Sequence, residues 1–327
     1  MNMFGYPFMQ RALVAAVLSG LVAPAIGMYI VQRRLSLLGD GLGHVAIMGV
    51  GLALLTGWAP LPMAVLTCVV AAVVVELLRQ SGKASGDLGL AVLFYGGIAS
   101  GVMMAGIAGQ GPAGLSAFLF GALTSVSETD LWVIAGLGVV ILVFALGLWP
   151  RLFAICADED FARVLGMRVR WLNLLVVVVA AVTVTISMRT VGLLLISALM
   201  VIPVATSQQL FISFRSALLG AMGVGLLAAV GGTIGSYHLN TATGATIVVT
   251  AILLLGVATM IGTLLQRRRR HVVFIPDHGE HGHIRAEVTT GRRPPSGKVT
   301  VIQHGDHMDE VVGVHRHALH GDHYDEH

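Results

Sequence analysis

Charge is scarce in this chain of 327 residues: Asp, Glu, Lys and Arg make up 11% of it, against about 25% in ordinary soluble domains. Cysteine is nearly absent. Cys68 falls in an apolar run and Cys156 in a polar loop, and two such residues build neither a disulfide framework nor a cysteine-rich zinc site. The short motifs of catalysis are missing too: there is no HExxH, no GxSxG and no P-loop GxxxxGK[ST], so the chain shows no machinery for peptide, ester or nucleotide hydrolysis. What it has instead is apolar surface. Hydrophobic residues are 56% of the sequence and the mean hydropathy is +0.84, the composition of a polytopic membrane protein.

The few ionisable residues are unevenly placed. Residues 1–270 hold 15 Lys/Arg and 8 Asp/Glu, a net +7, whereas residues 271–327 hold 5 and 9, a net −4, with 11 of the 13 histidines. The chain therefore divides into a membrane domain, 1–270, and a polar, His-rich tail, 271–327. The basic excess of the first part follows membrane topology and gives no sign of nucleic-acid binding.

Nine apolar runs follow one another at 8–31, 35–55, 61–78, 88–107, 131–148, 171–188, 191–209, 217–236 and 245–265. A backbone that crosses a bilayer must satisfy its own hydrogen bonds, which makes each run a helix. A membrane barrel would instead show strands of about ten alternating residues. The expected fold class is all-α, a polytopic membrane helical bundle of about nine transmembrane helices in the lipid bilayer. The first run lacks a small-residue cleavage site and reads as a retained span. The apolar piece 115–123 is too short to span and reads as a re-entrant or interfacial helix; should it cross, the count changes, and eight spans also suit the pattern. If nine spans alternate, 13 of the 15 Lys/Arg of the membrane domain fall on one side and only Arg11 and Arg189 on the other. The positive-inside rule then puts the N-terminus outside and the C-terminal tail in the cytoplasm.

The second run carries the chemistry. It contains Asp40 and His44, four residues apart and so one turn apart on one helix face. A carboxylate at membrane depth costs about 2.5–3.5 kcal/mol or more on insertion scales and marks a functional site by default. Carboxylate and imidazole are also ligands for divalent transition metals. At 1.5 Å per residue Asp40 lies about 8 Å and His44 about 14 Å from the cytoplasmic end of the run, a depth at which transporters place substrates. The same residues could serve architecture alone, Asp40 bonding a neighbouring helix and His44 being a satisfied interior histidine. Gly39, Gly41, Gly43, Gly49 and Gly51 fit close helix packing and equally fit a helix that bends or unwinds. Spacing leaves these alternatives open.

The longest inside loop, 150–170, contains Asp158-Glu159-Asp160-Phe161-Ala162-Arg163-Val164-Leu165-Gly166. Acidic residues open a short helical pattern and glycine closes it, with Phe161, Val164 and Leu165 on one face. Such a helix either lies on the membrane surface or docks on a cytoplasmic partner.

Four stretches together resemble a known family, the permease subunits of bacterial ABC-type importers for zinc, manganese and ferrous iron. They are Arg33-Arg34-Leu35-Ser36-Leu37-Leu38-Gly39-Asp40 through His44 to Gly49; Phe118-Leu119-Phe120-Gly121-Ala122-Leu123; Asp160-Phe161-Ala162-Arg163-Val164-Leu165-Gly166; and Val191-Gly192-Leu193-Leu194-Leu195-Ile196-Ser197-Ala198-Leu199-Met200-Val201-Ile202-Pro203-Val204-Ala205-Thr206. The resemblance implies a non-catalytic subunit in the bacterial cytoplasmic membrane. It implies a pathway formed with a second copy or a paralogous permease, and docking of a separate cytoplasmic ATPase, the user of ATP, through Asp160, Phe161, Ala162, Arg163, Val164, Leu165 and Gly166. An extracellular metal-binding protein would deliver the ion, with Asp40 and His44 as its ligands in the span. Gly41 and Gly43 depart from the family pattern, which has Ala and Ser there. The chain itself is expected to bind no resident cofactor.

Two ligands from one chain are too few for a closed tetrahedral site, but a paired copy supplies the same two across a twofold axis. The resulting O₂N₂ set suits Zn²⁺, while Mn²⁺ prefers more oxygen. Zinc is therefore the expected cargo, with manganese or ferrous iron as alternatives. A stand-alone carrier or intramembrane enzyme fits less well, because an ion-coupled carrier needs more intramembrane charge than Asp40. In the tail, low hydrophobicity and abundant charge point to disorder. Its histidines His278, His281, His283, His304, His307, His315, His317, His320, His323 and His327 suit metal binding at no single defined site.

Overall fold

The computed structural model describes residues 6–81, 86–121, 128–269, 300–304, 307–312, 315–320 and 323–326. Among the described residues of the membrane domain there are twelve helices: α1 (Pro7–Gln32), α2 (Leu38–Thr56), α3 (Pro60–Gln80), α4 (Gly86–Ile107), α5 (Gly111–Phe120), α6 (Glu128–Gly147), α7 (Trp149–Ala157), α8 (Glu159–Val164), α9 (Val169–Val191), α10 (Leu193–Leu210), α11 (Phe214–Leu239) and α12 (Thr243–Arg269). Local chemistry sets many of the ends. Prolines start α1 and α3 in the first turn, where a missing N–H costs nothing. Gly57, at φ +73°, ends α2. Arg34, at φ +58°, ends α1; its N–H donates to the Val31 carbonyl and that of Leu35 to the Ile30 carbonyl, a Schellman closure that turns the chain directly into α2.

All nine apolar runs fall on helices. Among the described residues seven of these (α1, α2, α3, α4, α9, α11 and α12) are long and apolar enough to cross a membrane, α6 and α7 form a pair bent by 64° that would make an eighth span, and α10 is a shorter apolar helix. Nine is thus the number of helices on apolar runs, and seven or eight the number that cross by length and composition. The 115–123 piece lies largely on α5, whose ten residues reach about 15 Å, half the hydrocarbon thickness. Cys156, assigned to a polar loop from sequence, sits in α7.

Helices α1, α2 and α9 are the most enclosed, and α4 and α12 leave most of their apolar surface exposed, as lipid-facing helices do. The second helix runs unbroken from Leu38 to Thr56, which decides the role of its glycines in favour of close packing. A Cβ on Gly49 would collide with Ala64 and Thr67 of α3, and one on Gly51 would stand 2.5 Å from the Gly101 carbonyl of α4. Between α9 and α10 a single residue, Gly192, takes φ +89° and ψ 152°, a region only glycine occupies without strain.

The tail forms a separate unit. Disorder was the expectation for it. The described residues instead form four strands, β1 (Thr300–His304), β2 (His307–Val312), β3 (His315–His320) and β4 (His323–Glu326), paired antiparallel in sequence order. His278, His281, His283 and His327 lie outside the described residues.

Candidate functional site

Asp40 occupies the first turn of α2 and His44 the next. His44 is buried, with 5% of its surface exposed. Its Nδ1–H donates to the backbone carbonyl of Asp40 at 2.8 Å. With the carbonyl as acceptor, the proton sits on Nδ1 and the lone pair on Nε2, the arrangement in which a histidine is ready to ligate. The carboxylate of Asp40 takes no part in that bond. It is half-buried and, among the described residues, receives only a long contact from the Ser197 hydroxyl of α10, at 3.5 Å. One turn of one helix thus presents an imidazole nitrogen and a carboxylate that are both free to bind a cation.

Neighbouring helices hold this turn in place. The Phe94 ring of α4 lies 3.9 Å from the His44 ring, centroid to centroid. A Cβ on Gly97 would stand 2.6 Å from the His44 carbonyl carbon, so α4 packs backbone to backbone against the site. Gly39 faces Met200 and Ser197, and Gly43 faces Leu193. The departure at Gly43 therefore has a steric counterpart, since an added Cβ would meet the Leu193 side chain at 3.0 Å. Ser197 stood out in the sequence only within the 191–206 stretch, and Phe94 did not stand out at all. Its signal was that α4 carries an aromatic three residues before a contact glycine. Among the described residues no three His, Cys, Asp or Glu side chains converge, so one chain offers two ligands and no closed set.

The second functional stretch is also in place. Asp158 caps α8, its carboxylate accepting from the N–H groups of Asp160 and Phe161 at 2.9 Å each. Gly166, at φ +78°, follows its C-terminal end. Ala162 faces inward and is fully buried, whereas Phe161, Val164 and Leu165 are 59%, 83% and 60% exposed. Among the described residues this apolar face has no partner, and it lies beside Asp160 and Arg163, which pair with each other at 2.8 Å.

Sequence reasoning missed what ties α8 down. Glu159 lies 3.1 Å from Arg33, 3.5 Å from Arg163 and 4.0 Å from Arg79, and it accepts from the Asn173 amide at 3.0 Å. Arg79 in turn grips Glu76 through two bonds of 2.9 Å. A single carboxylate thereby joins α8 to the end of α1, to α3 and to α9. Beside it opens a cleft of about 790 Å³ lined by Arg79, Arg163, Arg168 and Arg170 among others.

Comparison with known proteins agrees with this architecture. The ABC 3 transport family matches residues 5–262. A probable metal transport system membrane protein of Treponema pallidum is 32% identical over 265 residues, covering 80% of this chain and 98% of that protein. The manganese import system permease protein ScaB of Streptococcus parasanguinis is 29% identical, covering 82% and 95%. Among solved structures, PsaBC from Streptococcus pneumoniae in complex with Fab superposes with a TM-score of 0.73 at 28% identity, covering 81% of this chain and 97% of that one.

The Glu159 junction makes a stability prediction. Arg33 is only 4% exposed on its side chain, so Glu159→Ala strands a buried guanidinium and should cost about 1–3 kcal/mol. The thermal unfolding temperature of the detergent-purified protein should fall, and Glu159→Gln, which keeps an acceptor, should fall less. Unchanged unfolding in Glu159→Ala would show that the junction bears no load.

Proposed function

The chain belongs to the ABC 3 transport family, and from that premise we infer that Asp40 and His44 of α2 carry the transported metal through the membrane. It is a multi-pass permease subunit of an ATP-binding-cassette metal importer, non-catalytic in itself. Members of the family work with a separate ATPase and a substrate-binding protein. The observation that carries the inference is the pairing of a buried His44, its Nδ1 held by the Asp40 carbonyl at 2.8 Å, with a carboxylate one turn away. A second copy of the chain, or a paralogous permease, contributes the matching pair and completes a four-ligand O₂N₂ site. Zinc fits that set. Manganese is the second reading, favoured by the names of relatives at 29% and 30% identity; relatives named for zinc and chelated iron stand at 28% and 30%.

The exposed Phe161–Val164–Leu165 face supports docking of the cytoplasmic ATPase on Asp160, Phe161, Ala162, Arg163, Val164, Leu165 and Gly166. We count the α6–α7 pair and the shorter α10 each as a crossing, which makes nine; with α8 inside, the Lys/Arg asymmetry then favours an outside N-terminus and a cytoplasmic tail. The extracellular binding protein then delivers the ion to the opposite face.

Competition uptake of zinc, manganese and ferrous iron tests the site and its cargo. Asp40→Ala and His44→Ala should each abolish uptake, a loss of at least ~100-fold, while insertion into the membrane is retained. Full zinc uptake by His44→Ala would remove His44 from the pathway, and manganese-only uptake by the unsubstituted protein would overturn the zinc assignment. For docking, Phe161→Asp replaces an exposed apolar contact by a charge. It should leave the membrane domain folded and reduce ATPase copurification and uptake together. Normal copurification would leave α8 as a membrane-surface helix.

A further inference from the structure

Beside the cleft at Glu159 a second cavity opens, of about 560 Å³. The two adjoin, for Met167, Arg168 and Trp171 line both. Their linings differ in kind. The cleft carries four guanidiniums, those of Arg79, Arg163, Arg168 and Arg170, against the one carboxylate of Glu159, a net +3. Arg79 and Arg163 are engaged with acidic neighbours. Among the described residues Arg168 and Arg170 form no ion pair, and neither does Arg151, which lines the second cavity. Beyond its two arginines that second cavity is apolar, lined by Leu172, Leu174, Leu175 and Val178. From Trp171 to Val178 it follows α9 for about 10 Å, within the stretch Val169–Met188 that is long and apolar enough to cross a membrane. Trp171, shared by both cavities, is 68% exposed, and an exposed indole at the end of a span sits at the level of the lipid headgroups.

We propose that the two cavities form one site for an anionic phospholipid, its phosphate held by Arg168 and Arg170 and an acyl chain laid along Trp171, Leu175 and Val178. Guanidinium groups bind phosphate oxygens through paired, charge-assisted hydrogen bonds. A basic cleft that continues into an apolar groove at the start of a span matches the two-part chemistry of a lipid. A free anion would leave the groove empty, and a polar peptide segment would not fill it. The net +3 selects an anionic headgroup over a zwitterionic one, whose own cation the arginines repel. A bound phosphate adds negative charge where Glu159 alone balances guanidiniums drawn from α3, α8 and α9, and so holds these helices together. The inference needs α9 to lie in the bilayer, as membership of the family gives, and is independent of the roles of Asp40, His44 and the exposed face of α8.

The test is native mass spectrometry of the full-length protein released from micelles that supply phosphatidylglycerol and phosphatidylcholine in equal amounts. One phosphatidylglycerol per chain should be retained in preference. Arg168 and Arg170 are exposed, so Arg168→Gln with Arg170→Gln leaves the bundle folded, and it should lower the preference by about fivefold for each arginine. Arg215→Gln removes an exposed arginine of α11 that lines neither cavity and should leave the preference unchanged. Equal retention of the two lipids, or an equal loss in Arg215→Gln, would overturn the proposal. So would displacement of the lipid by glycerol phosphate at equal concentration, which would mean an anion site without a lipid groove. An unchanged preference in Arg168→Gln with Arg170→Gln would overturn it as well, and a concurrent loss of ATPase copurification would give the cleft to an acidic segment of that partner.

Discussion

The hydrogen bond from His44 Nδ1 to the carbonyl of Asp40 is the interaction on which the geometry of the candidate site depends. At membrane depth there is no water to satisfy a polar group, so each must find its partner in the protein. Other polar side chains of the spans do this with backbone carbonyls: Tyr29 donates to Ala145, Thr185 to Ala181 and Ser207 to Ala217. His44 differs because it has two ring nitrogens, and the bond to Asp40 uses one. The other nitrogen and the Asp40 carboxylate are left with capacity for a cation. The small residues around them follow from the same need. With Gly97 of α4 against the His44 carbonyl and Gly43 against Leu193, neighbouring helices come close enough to fix the imidazole between Phe94 and the α2 backbone.

A second constraint acts just before the start of α2. The residue that precedes the Schellman turn into α2, Arg33, is bound to Glu159 at the start of α8. Displacement of α8 therefore has a physical route to the helix that carries Asp40. The route is a charge pair with one partner almost fully buried, and it is reinforced by Arg79, Arg163 and Asn173. On the proposed roles of α8 and α2, this link would tie docking to the candidate metal site, as an energy-coupled permease requires.

Much of this was legible in the sequence. Hydropathy located every long helix, because a membrane span is set by a run of residues along the chain. The i,i+4 relation of Asp40 and His44 and the capped pattern after Asp158 are likewise local, and both appear in the structure as helix turns. What could not be read is what depends on distant segments. Phe94 meets His44, Ser197 meets Asp40 and Glu159 meets Arg33 across 50, 157 and 126 residues of sequence, and no periodicity reports such a meeting. In the tail, average composition gives no sign of the four short strands among its described residues.

The direct test of the central claim is where the ion sits. In crystals of the assembled permease loaded with zinc, an anomalous-difference map should show a peak about 2.0–2.2 Å from His44 Nε2 and from an Asp40 carboxylate oxygen. A peak elsewhere among the membrane helices, with none at Asp40 and His44, would contradict the account.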